Sequence, residues 1–415
     1  MRIEKQRYTE RFGSVKINDV QKVLELDSGM RARLTLKEAI ALDKIAGRRA
    51  KLALKEAIAV DKIEEGVIKD YEKKMAIVIP IKNEKLQLFE GVISGVPHEC
   101  LIIVVSNSER KEADRFEMER DTLEQFCRFA QRQALIMHQK NPALALALAQ
   151  AGYTDLLDEV GETVRDGKSE GMVIGLLMAM LARKEYVGFV DADNYFPGAV
   201  WEYVKCYAAG FSISRSPYAM VRILWRYKPK LSGQIYFKKW GRVSGTTNKC
   251  FNSLISAKTG FETDIIKTAN AGEHAMSVRL AEILPFASGY AVEPQELVSL
   301  FEDFSGVLPT ANQRAARDGI EIFQIESRNP HFHEERGTAH LREMLLQGLG
   351  TVYHSLLCDE ETKRMIIREL LAQRALKRGE EPAKPNINRP PQKVNIKSFI
   401  DFMAERVDSY SALKG

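Results

Sequence analysis

Four short apolar runs alternate with helical stretches from about residue 75 onwards, and this alternation restricts the possible folds more than any other feature of the chain. Such spacing predicts parallel strands joined by helical crossovers, which is an α/β architecture with a central sheet flanked by helices. Each run ends in polar or acidic residues, and in an open α/β sheet such strand ends converge on one ligand-binding crevice. The four runs are residues 76–80, 101–105, 134–137 and 186–190.

The last of these runs is followed by two acidic residues one position apart, Asp191 and Asp193. In an extended segment alternate side chains share a face, so both carboxylates are expected at the C-terminal rim of a buried strand. Mg²⁺ and Mn²⁺ take hard oxygen ligands and are completed by substrate phosphates. The pair therefore predicts a site for a metal-bound diphosphate, although an ordinary turn, where Asp residues gather, gives the same pattern.

A Gly-rich turn with a lysine, Gly167-Lys168, precedes a long apolar helical stretch. Such a turn offers backbone N–H groups, a positive helix dipole and an ammonium group to a phosphate. The segment lacks the pattern G-x-x-x-x-G-K-S/T, which argues against ATP hydrolysis. The alternative is that Ser169 simply caps the N-terminus of the helix.

Two further segments carry side chains that suit a catalytic site. His331 and His333 face the same way in an extended chain, and one imidazole can complete an oxygen-rich metal site made by Asp193. Zinc is less favoured, since the chain has no H-E-x-x-H helix and no thiolate near these histidines. Small residues before Glu273 and His274 permit close approach of the backbone to a ligand. The alternatives are surface histidines before a helix and, for Glu273, a capping carboxylate at a helix start.

A stretch without acidic residues lies between Glu202 and Glu262 and contains eleven Lys or Arg residues interleaved with aromatic residues. Basic and aromatic side chains together are typical of proteins that bind single-stranded nucleic acid. They are equally suited to a pocket for a small phosphorylated acid, because Arg forks bind carboxylate and phosphate. A solvated surface face is the third interpretation.

The ends of the chain differ in character from its centre. Residues 34–45 recur as 52–63 with ten of twelve positions identical, and this duplication predicts two amphipathic helices on the surface. Two copies are too few for a solenoid. After about residue 335 the pattern predicts helices, then an extended proline-containing tether over 381–392 and a last helix from about Lys397.

Composition narrows the class of protein. At 415 residues the chain is expected to form one large domain with appendages or two domains. The net charge of +5 is too small to imply nucleic acid. No secretory leader and no apolar run of membrane-spanning length is present, so we expect a cytoplasmic protein without a membrane partner. Five scattered cysteines without a C-x-x-C pair predict reduced thiols.

A series of motifs in fixed order resembles the mannosyl-3-phosphoglycerate synthase family. The resemblance covers nearly everything from Met75 to about Ser355, and the tandem repeat departs from it. The motifs are VIPIKNE (78–84), VVSNS (104–108), GKSEGM (167–172), GFVDADNY (188–195), FKKWGRVS (237–244), NAGEHAM (270–276) and NPHFHE (329–334).

The resemblance implies a retaining glycosyltransferase of the GT-A fold, which transfers mannose from GDP-mannose to 3-phospho-D-glycerate with the help of Mg²⁺ or Mn²⁺. The product is the phosphorylated precursor of mannosylglycerate, a compatible solute. It also implies a homodimer. On this basis residues 1–74 form an N-terminal segment, 75–200 bind the nucleotide sugar, 201–335 bind the acceptor, and 336–415 form a helical C-terminal region.

The resemblance also implies roles for individual residues. Asp191 would hold ribose or sugar, Asp193 and His333 the metal, with His331 the weaker candidate, and Glu273 would shape the sugar site. No residue is compelling as a covalent nucleophile, so front-face attack is expected instead of the double displacement of glycosidases. For the guanosine side we assign Pro80, Lys82, Asn83, Glu84 and Ser106, for the diphosphate Lys168, and for the acceptor Arg222, Arg226, Lys228 and Arg242.

The sequence leaves three alternative functions open. A glucosyl-3-phosphoglycerate synthase would share the metal and acceptor features but take a glucose nucleotide. A nucleotidyltransferase would need a Gly-rich, Arg/Lys-containing signature after the first strand, which residues 80–84 lack. A non-enzymatic nucleic-acid-binding protein would use the basic stretch and bind with a steep salt dependence.

Overall fold

The computed structural model describes residues 1–26, 60–111, 113–194, 196–225, 230–232, 234–236, 242–331, 337–406 and 410–414. Within these ranges, helices alternate with the strands of one large sheet, which confirms the predicted α/β class. No helix of the described residues is long and apolar enough to cross a membrane. All five cysteines are free thiols.

The elements are numbered in chain order over the described residues. The strands are β1 (Arg2–Glu4), β2 (Thr9–Phe12), β3 (Val15–Asn18), β4 (Gln21–Glu25), β5 (Val60–Lys62), β6 (Met75–Ile81), β7 (Leu101–Ser106), β8 (Gln133–His138), β9 (Tyr186–Phe189), β10 (Ala219–Trp225), β11 (Lys230–Ser232), β12 (Gln234–Tyr236), β13 (His274–Ser277), β14 (Phe286–Ala287), β15 (Ile320–Ser327), β16 (Ile387–Asn388) and β17 (Ser411–Lys414). The α-helices are α1 (Glu65–Lys73), α2 (Leu86–Gly95), α3 (Arg115–Ala130), α4 (Pro142–Gln150), α5 (Lys168–Leu181), α6 (Pro197–Ile213), α7 (Arg242–Thr259), α8 (Val278–Ile283), α9 (Val292–Phe304), α10 (Gln313–Asp318), α11 (Gly337–Tyr353), α12 (Glu360–Ala372) and α13 (Ile396–Ala404).

The centre of the large sheet is mostly parallel. Its strand order is β17-β8-β7-β6-β9-β13-β10-β15-β4-β1-β5, and β3 also pairs with β15. Strands β8, β7, β6 and β9 run parallel to one another, as do β10, β15 and β4. The four apolar runs of the sequence are β6, β7, β8 and β9, so the prediction of parallel strands joined by helices is confirmed.

Strand β13 separates the two parallel groups and runs antiparallel to both of its neighbours, β9 and β10. Because its direction is reversed, the start of β13 lies at the same edge of the sheet as the ends of β9 and β10. Residues before β13 are thereby brought beside residues that follow β9. The sequence alone did not predict this strand, since segment 269–276 was expected to lead into a helix.

The sheet separates two hydrophobic cores, and alternate residues of β6 point into each of them. Ala76 and Val78 pack into the core that contains α5, whereas Ile77 and Ile79 pack into the core that contains α6. Helix α5 lies very close to the sheet, because a Cβ atom on Gly175 would be 2.2 Å from Cγ1 of Val78. The fully apolar character of β6 follows from its burial on both faces.

The N-terminal and C-terminal segments belong to the same sheet as its centre. Strands β3 and β4 pair with β15, and β17 pairs with β8. The division into segments 1–74, 75–335 and 336–415 therefore does not correspond to separate sheets. Residues Val60–Lys62, the end of the second repeat copy, form β5 beside β1, so the helix prediction is wrong there. The remaining residues of the repeat, up to 59, lie outside the described residues.

The C-terminal region contains the helices α11, α12 and α13 and the short strands β16 and β17. The tether over 381–392 is more structured than expected, because residues Ile387–Asn388 form β16 and pair antiparallel with β14. A 3₁₀ turn, Pro391–Lys393, leads into α13. The C-terminal region is consequently held against the centre of the molecule by backbone hydrogen bonds.

Candidate active site

A cavity of about 720 Å³ lies at the edge of the sheet where β6 and β9 end. Polar residues from strand ends, from the start of α5 and from the C-terminal region surround it. The sequence-predicted residues among those that line it are Pro80, Lys82, Glu84, Lys168, Asp191, Asp193, Glu273 and His331. The convergence expected from the strand ends is therefore observed.

Lys168, the first residue of α5, is held between two carboxylates. Its Nζ lies 2.6 Å from Oδ1 of Asp191 and 2.9 Å from Oε1 of Glu293. Burial acts to lower the pKa of Lys168, but the two carboxylates outweigh burial and raise it well above its ordinary value. The ammonium group is thus charged and fixed at the cavity wall. Glu293 comes from the first turn of α9 and was not identified from the sequence.

The start of α5 has the features of an anion-binding site. Gly167 is the N-cap residue and no side chain caps the helix, so the interpretation of Ser169 as the cap is wrong. The N–H groups of the first turn have no acceptor within the helix. Asp166 fixes the preceding turn by accepting a hydrogen bond from Nδ2 of Asn107 at 3.0 Å and pairing with Nζ of Lys140 at 3.2 Å. The turn is therefore positioned before any ligand arrives.

Glu273 lies directly before β13 and opposite the end of β9, with no exposed surface. Its Oε1 accepts a hydrogen bond from Nδ2 of Asn194 at 2.9 Å, while its Oε2 has no hydrogen-bond partner among the described residues. Burial and then the nearby Asp191 carboxylate raise the pKa of Glu273 to about 8, although the hydrogen bond from Asn194 acts in the opposite direction. The carboxyl group is protonated at neutral pH.

Gly272 allows the backbone before Glu273 to approach the acidic pair. A Cβ atom at this position would lie 2.9 Å from Oδ2 of Asp191. Gly272 thus allows the backbone to come close to Asp191, whereas its close approach to a ligand stays a prediction. His274, which the sequence placed beside the reacting centre as an alternative to Glu273, is instead fully buried and faces Glu296 through Nε2 at 2.9 Å.

His331 follows β15 and lies near Glu273. Its ring stacks on Trp225 with centroids 4.5 Å apart, and its Nδ1 is 3.9 Å from Oε1 of Glu273. His331 and Asp193 line the same cavity, while His333 lies outside the described residues. No cluster of three or more His, Cys, Asp or Glu side chains suited to a metal ion occurs within the described ranges.

Two of the predicted binding residues require correction. Ser106 is fully buried and donates a hydrogen bond to Oε2 of Glu119 at 2.6 Å, so its hydroxyl is not available to a nucleotide. Arg222 is also fully buried, and its guanidinium group contacts Glu296 at 2.8 Å, so it does not reach an acceptor. Asn83 is exposed beside the cavity, but its Oδ1 accepts a hydrogen bond from the N–H of Glu109 at 3.0 Å.

Arg222 instead organises the protein beneath the cavity. Its guanidinium group donates to the carbonyl oxygens of Thr268 at 2.9 Å and Ala269 at 3.1 Å, and to that of Glu293 at 3.1 Å. These contacts hold both the loop that leads to Glu273 and the start of α9. The prediction that Arg222 binds the acceptor was wrong, because the sequence does not reveal that its partner is the buried Glu296.

The remaining predicted acceptor residues lie near the start of α7. Arg226 and Lys228 are outside the described residues, and Arg242 is the first residue of α7, although its side chain is not described. The next two residues, Val243 and Ser244, line the cavity. The N-terminal end of α7 therefore faces the same space as Asp191 and Lys168.

The C-terminal region supplies a cavity wall that sequence analysis missed. His340, Met344 and Gln347 of α11 line the cavity, and their spacing of four and three residues places them on one helix face. Residues 383–386 line it as well. The pattern of apolar and polar positions in α11 could have indicated which face of this helix packs onto the protein. The composition of residues 383–386 gives no such indication.

Two carboxylates, a fixed lysine and an uncapped helix start lie at the carboxyl edge of this α/β sheet, an arrangement that suits a nucleotide-activated substrate such as that of a glycosyltransferase. The family model described as mannosyl-3-phosphoglycerate synthase matches residues 5–403. The chain belongs to the mannosyl-3-phosphoglycerate synthase family, as the motif series indicated.

Two curated relatives agree with this membership. A mannosyl-3-phosphoglycerate synthase of Pyrococcus furiosus is 47% identical over 402 residues, which are 96% of each chain. One of Aeropyrum pernix is 38% identical over 402 residues, which are 97% of each chain. Among solved structures, glucosyl-3-phosphoglycerate synthase from Mycobacterium tuberculosis in complex with UDP is 18% identical, with a TM-score of 0.46 over 80% of this chain and 96% of that chain.

Proposed function

We propose that this chain transfers mannose from GDP-mannose to 3-phospho-D-glycerate with retention of configuration. The observation that carries the proposal is the convergence of Asp191, Asp193, Lys168 and Glu273 on one cavity in a chain of this family. The cavity volume of about 720 Å³ lies within the usual range for pockets that bind small ligands.

The nucleotide sugar binds along the ends of β6 and β9. Pro80 near the end of β6, together with Lys82 and Glu84 just after it, contacts the guanosine side, and Asn83 lies next to them. The uncapped start of α5 and the Lys168 ammonium group face the diphosphate, which is favourable because both carry positive charge. Asp191 then holds the ribose or the sugar.

The residues around Asp193 suit a divalent ion. The Asp193 carboxylate and the His331 imidazole line one cavity, and such a mixed oxygen and nitrogen set accepts Mg²⁺ or Mn²⁺ when substrate phosphates complete it. We assign His333, which is two residues further along the chain, as the additional ligand. When bound, the ion supplies Lewis-acid neutralisation of the charge that develops on departing GDP.

The acceptor binds at the N-terminal end of α7. The positive dipole at the start of this helix, where Val243 and Ser244 line the cavity, favours the phosphate or carboxylate of 3-phosphoglycerate. Arg242 begins the helix and Arg226 and Lys228 precede it, so all three are candidates for the same anionic groups. Arg222 is excluded from this role by its burial.

Retention is explained by front-face attack. The bond between the anomeric carbon and the diphosphate oxygen breaks, and its electron pair leaves with GDP. The acceptor hydroxyl oxygen bonds to the same face of the anomeric carbon, and its proton passes to a diphosphate oxygen. Glu273 is protonated at neutral pH because its pKa is raised to about 8, so it is a poor nucleophile and a good hydrogen-bond donor to the sugar. Trapping of a mannosyl-enzyme adduct would exclude this scheme.

GDP release is the direct test. Wild type, Asp193→Ala and the control Asp70→Ala, whose carboxylate is exposed on α1, are assayed with 3-phosphoglycerate and either GDP-mannose or a glucose nucleotide, in Mg²⁺ or EDTA. We expect metal-dependent release with GDP-mannose that requires the acceptor, is at least about a hundredfold slower in Asp193→Ala and is unchanged in the control.

Two other results of this assay would change or overturn the proposed function. Release only with the glucose nucleotide assigns the sister activity of a glucosyl-3-phosphoglycerate synthase. The absence of release with every donor overturns the proposal.

A further inference from the structure

The segment 382–386, here called the C-terminal strap, runs along the wall of the cavity. Four of its residues, 383–386, line the cavity, although the sequence indicated only an extended tether. Both ends of the strap are clamped. Nε2 of His354 donates to the carbonyl oxygen of Pro382 at 2.7 Å, and the N–H of Ser288 donates to that of Asn386 at 2.8 Å.

Residues that follow the strap anchor it to the parts of the fold that carry the diphosphate site. Oδ1 of Asn388 accepts a hydrogen bond from Nη2 of Arg165 at 2.6 Å, three residues before Lys168. Arg389 pairs with Asp155 at 2.7 Å. Prolines at both 382 and 385 restrict the backbone between the clamps. The strap is consequently preorganised beside the turn that precedes α5.

The charge around the cavity is unfavourable for anionic substrates. Six carboxylates and the protonated carboxyl group of Glu273 line it, and Lys168, one of the three lysines that do so, is already paired with Asp191 and Glu293. The strap contributes Lys384, whose side chain is exposed and makes no ion pair with a described carboxylate. The six carboxylates belong to Glu84, Asp166, Asp191, Asp193, Glu293 and Glu343.

We propose that Lys384 binds a phosphoryl group of a substrate, so that the C-terminal strap forms part of the substrate-binding site. The inference rests on the proposed function for the identity of the anionic ligands, which are the donor diphosphate and the acceptor phosphate. A lysine on a flexible stem suits either group as a point charge. Because the strap is clamped at both ends, its lysine is delivered to the cavity without the entropic cost of ordering a free tail.

Calorimetric titration with GDP and, separately, with 3-phosphoglycerate tests the inference on the full-length protein. Wild type is compared with Lys384→Gln, with Lys384→Arg, which keeps the charge, and with Lys397→Gln. The last variant removes the same charge from the exposed face of α13, outside the cavity. We expect Lys384→Gln to bind one of the two ligands about tenfold more weakly, which is the effect of losing one charge-assisted contact. Lys384→Arg should retain most of the affinity, and Lys397→Gln all of it.

The two ligands distinguish the source of the phosphoryl group. Weaker GDP binding by Lys384→Gln assigns Lys384 to the donor diphosphate, and weaker 3-phosphoglycerate binding assigns it to the acceptor. The inference is overturned if wild type and Lys384→Gln bind both ligands with equal affinity. It is also overturned if Lys397→Gln loses as much affinity as Lys384→Gln. Both conclusions hold whatever the transfer assay gives. If wild type transfers no mannose while one affinity still depends on Lys384, only the proposed function is overturned.

Discussion

Glu273 has no exposed surface, and its carboxyl group lies between the Asn194 amide and the acidic pair that follows β9. The sequence identified this residue from the small residues before it. Its protonation could not be read from the sequence, because the rise of its pKa comes from burial and from Asp191, which is brought near by the antiparallel direction of β13.

The first prediction concerns the pH dependence of turnover. Since the pKa of Glu273 is raised to about 8, the carboxyl group is neutral below this pH and becomes an anion beside Asp191 above it. Wild-type kcat should therefore fall as the pH rises through about 8. Glu273→Gln keeps a neutral hydrogen-bond donor, so its kcat should be lower by about tenfold but should lack the alkaline fall. A kcat profile from pH 6 to 10 checks both, and an unchanged alkaline fall in the variant would assign it to another group.

The second prediction concerns Arg222, which is buried with Glu296 and His274 in one network. Arg222→Met leaves the Glu296 carboxylate buried with one partner fewer and removes the donors that hold the carbonyl oxygens of Thr268 and Ala269. Breaking a buried pair from one side costs about 3–5 kcal/mol. The midpoint of urea unfolding of Arg222→Met should therefore lie at a lower urea concentration than the midpoint of the wild type.

A matched control is Arg374→Met, which changes an exposed arginine after α12. Equal urea midpoints for Arg222→Met and this control would show that the network contributes little to stability. A lower affinity for 3-phosphoglycerate with undiminished stability would return Arg222 to the role of an acceptor ligand.

Long apolar strands and helices with regular periodicity were predictable, whereas short elements and special pairings were not. β6 to β9 are continuous apolar runs because both faces are buried, and this signal is strong in a single sequence. β13 has only four residues and reads HAMS, which carries no periodic signal. Strand β5 was missed because its residues lie within a pattern typical of amphipathic helix, and pairing with β1 decided its conformation.

The third prediction concerns the contact between α5 and β6. A methyl group on Gly175 would overlap the side chain of Val78, since the added Cβ would lie 2.2 Å from Cγ1. Overpacking of this kind costs about 1–3 kcal/mol, so Gly175→Ala should lower the free energy of unfolding by this amount. It should also weaken GDP binding, because a displaced α5 carries Lys168 with it.

Gly198→Ala in α6 is the control, since a Cβ atom there meets nothing within 4 Å. This change should leave stability equal or slightly higher, because alanine is the better helix former by about 1 kcal/mol. Equal destabilisation by both substitutions would show that the close packing of α5 is not the cause.

The cavity is assembled from residues far apart in the chain, from Pro80 near the first central strand to Asn386 near the C-terminus. The strand ends, the acidic pair and the lysine turn were predictable, since each carries a local pattern in the sequence. The places of Glu293, His340 and Lys384 were not predictable, because they depend on how α9, α11 and the strap fold back onto the sheet. Segments that were expected to be appendages therefore line the same cavity as the strand ends.

The last prediction follows from this arrangement. Strands from both ends of the chain join one sheet, so the protein should unfold in a single calorimetric transition instead of separate transitions for residues 1–74, 75–335 and 336–415.

GDP with Mg²⁺ at a hundred times its dissociation constant should stabilise the folded state by about 2.7 kcal/mol and raise Tm by a few degrees. EDTA should remove most of this increase in wild type. In Asp193→Ala the increase should be small and insensitive to EDTA, because the carboxylate that we propose as a ligand of the ion is absent. Two transitions, with only one responding to GDP and Mg²⁺, would instead indicate that the C-terminal wall folds independently of the nucleotide site.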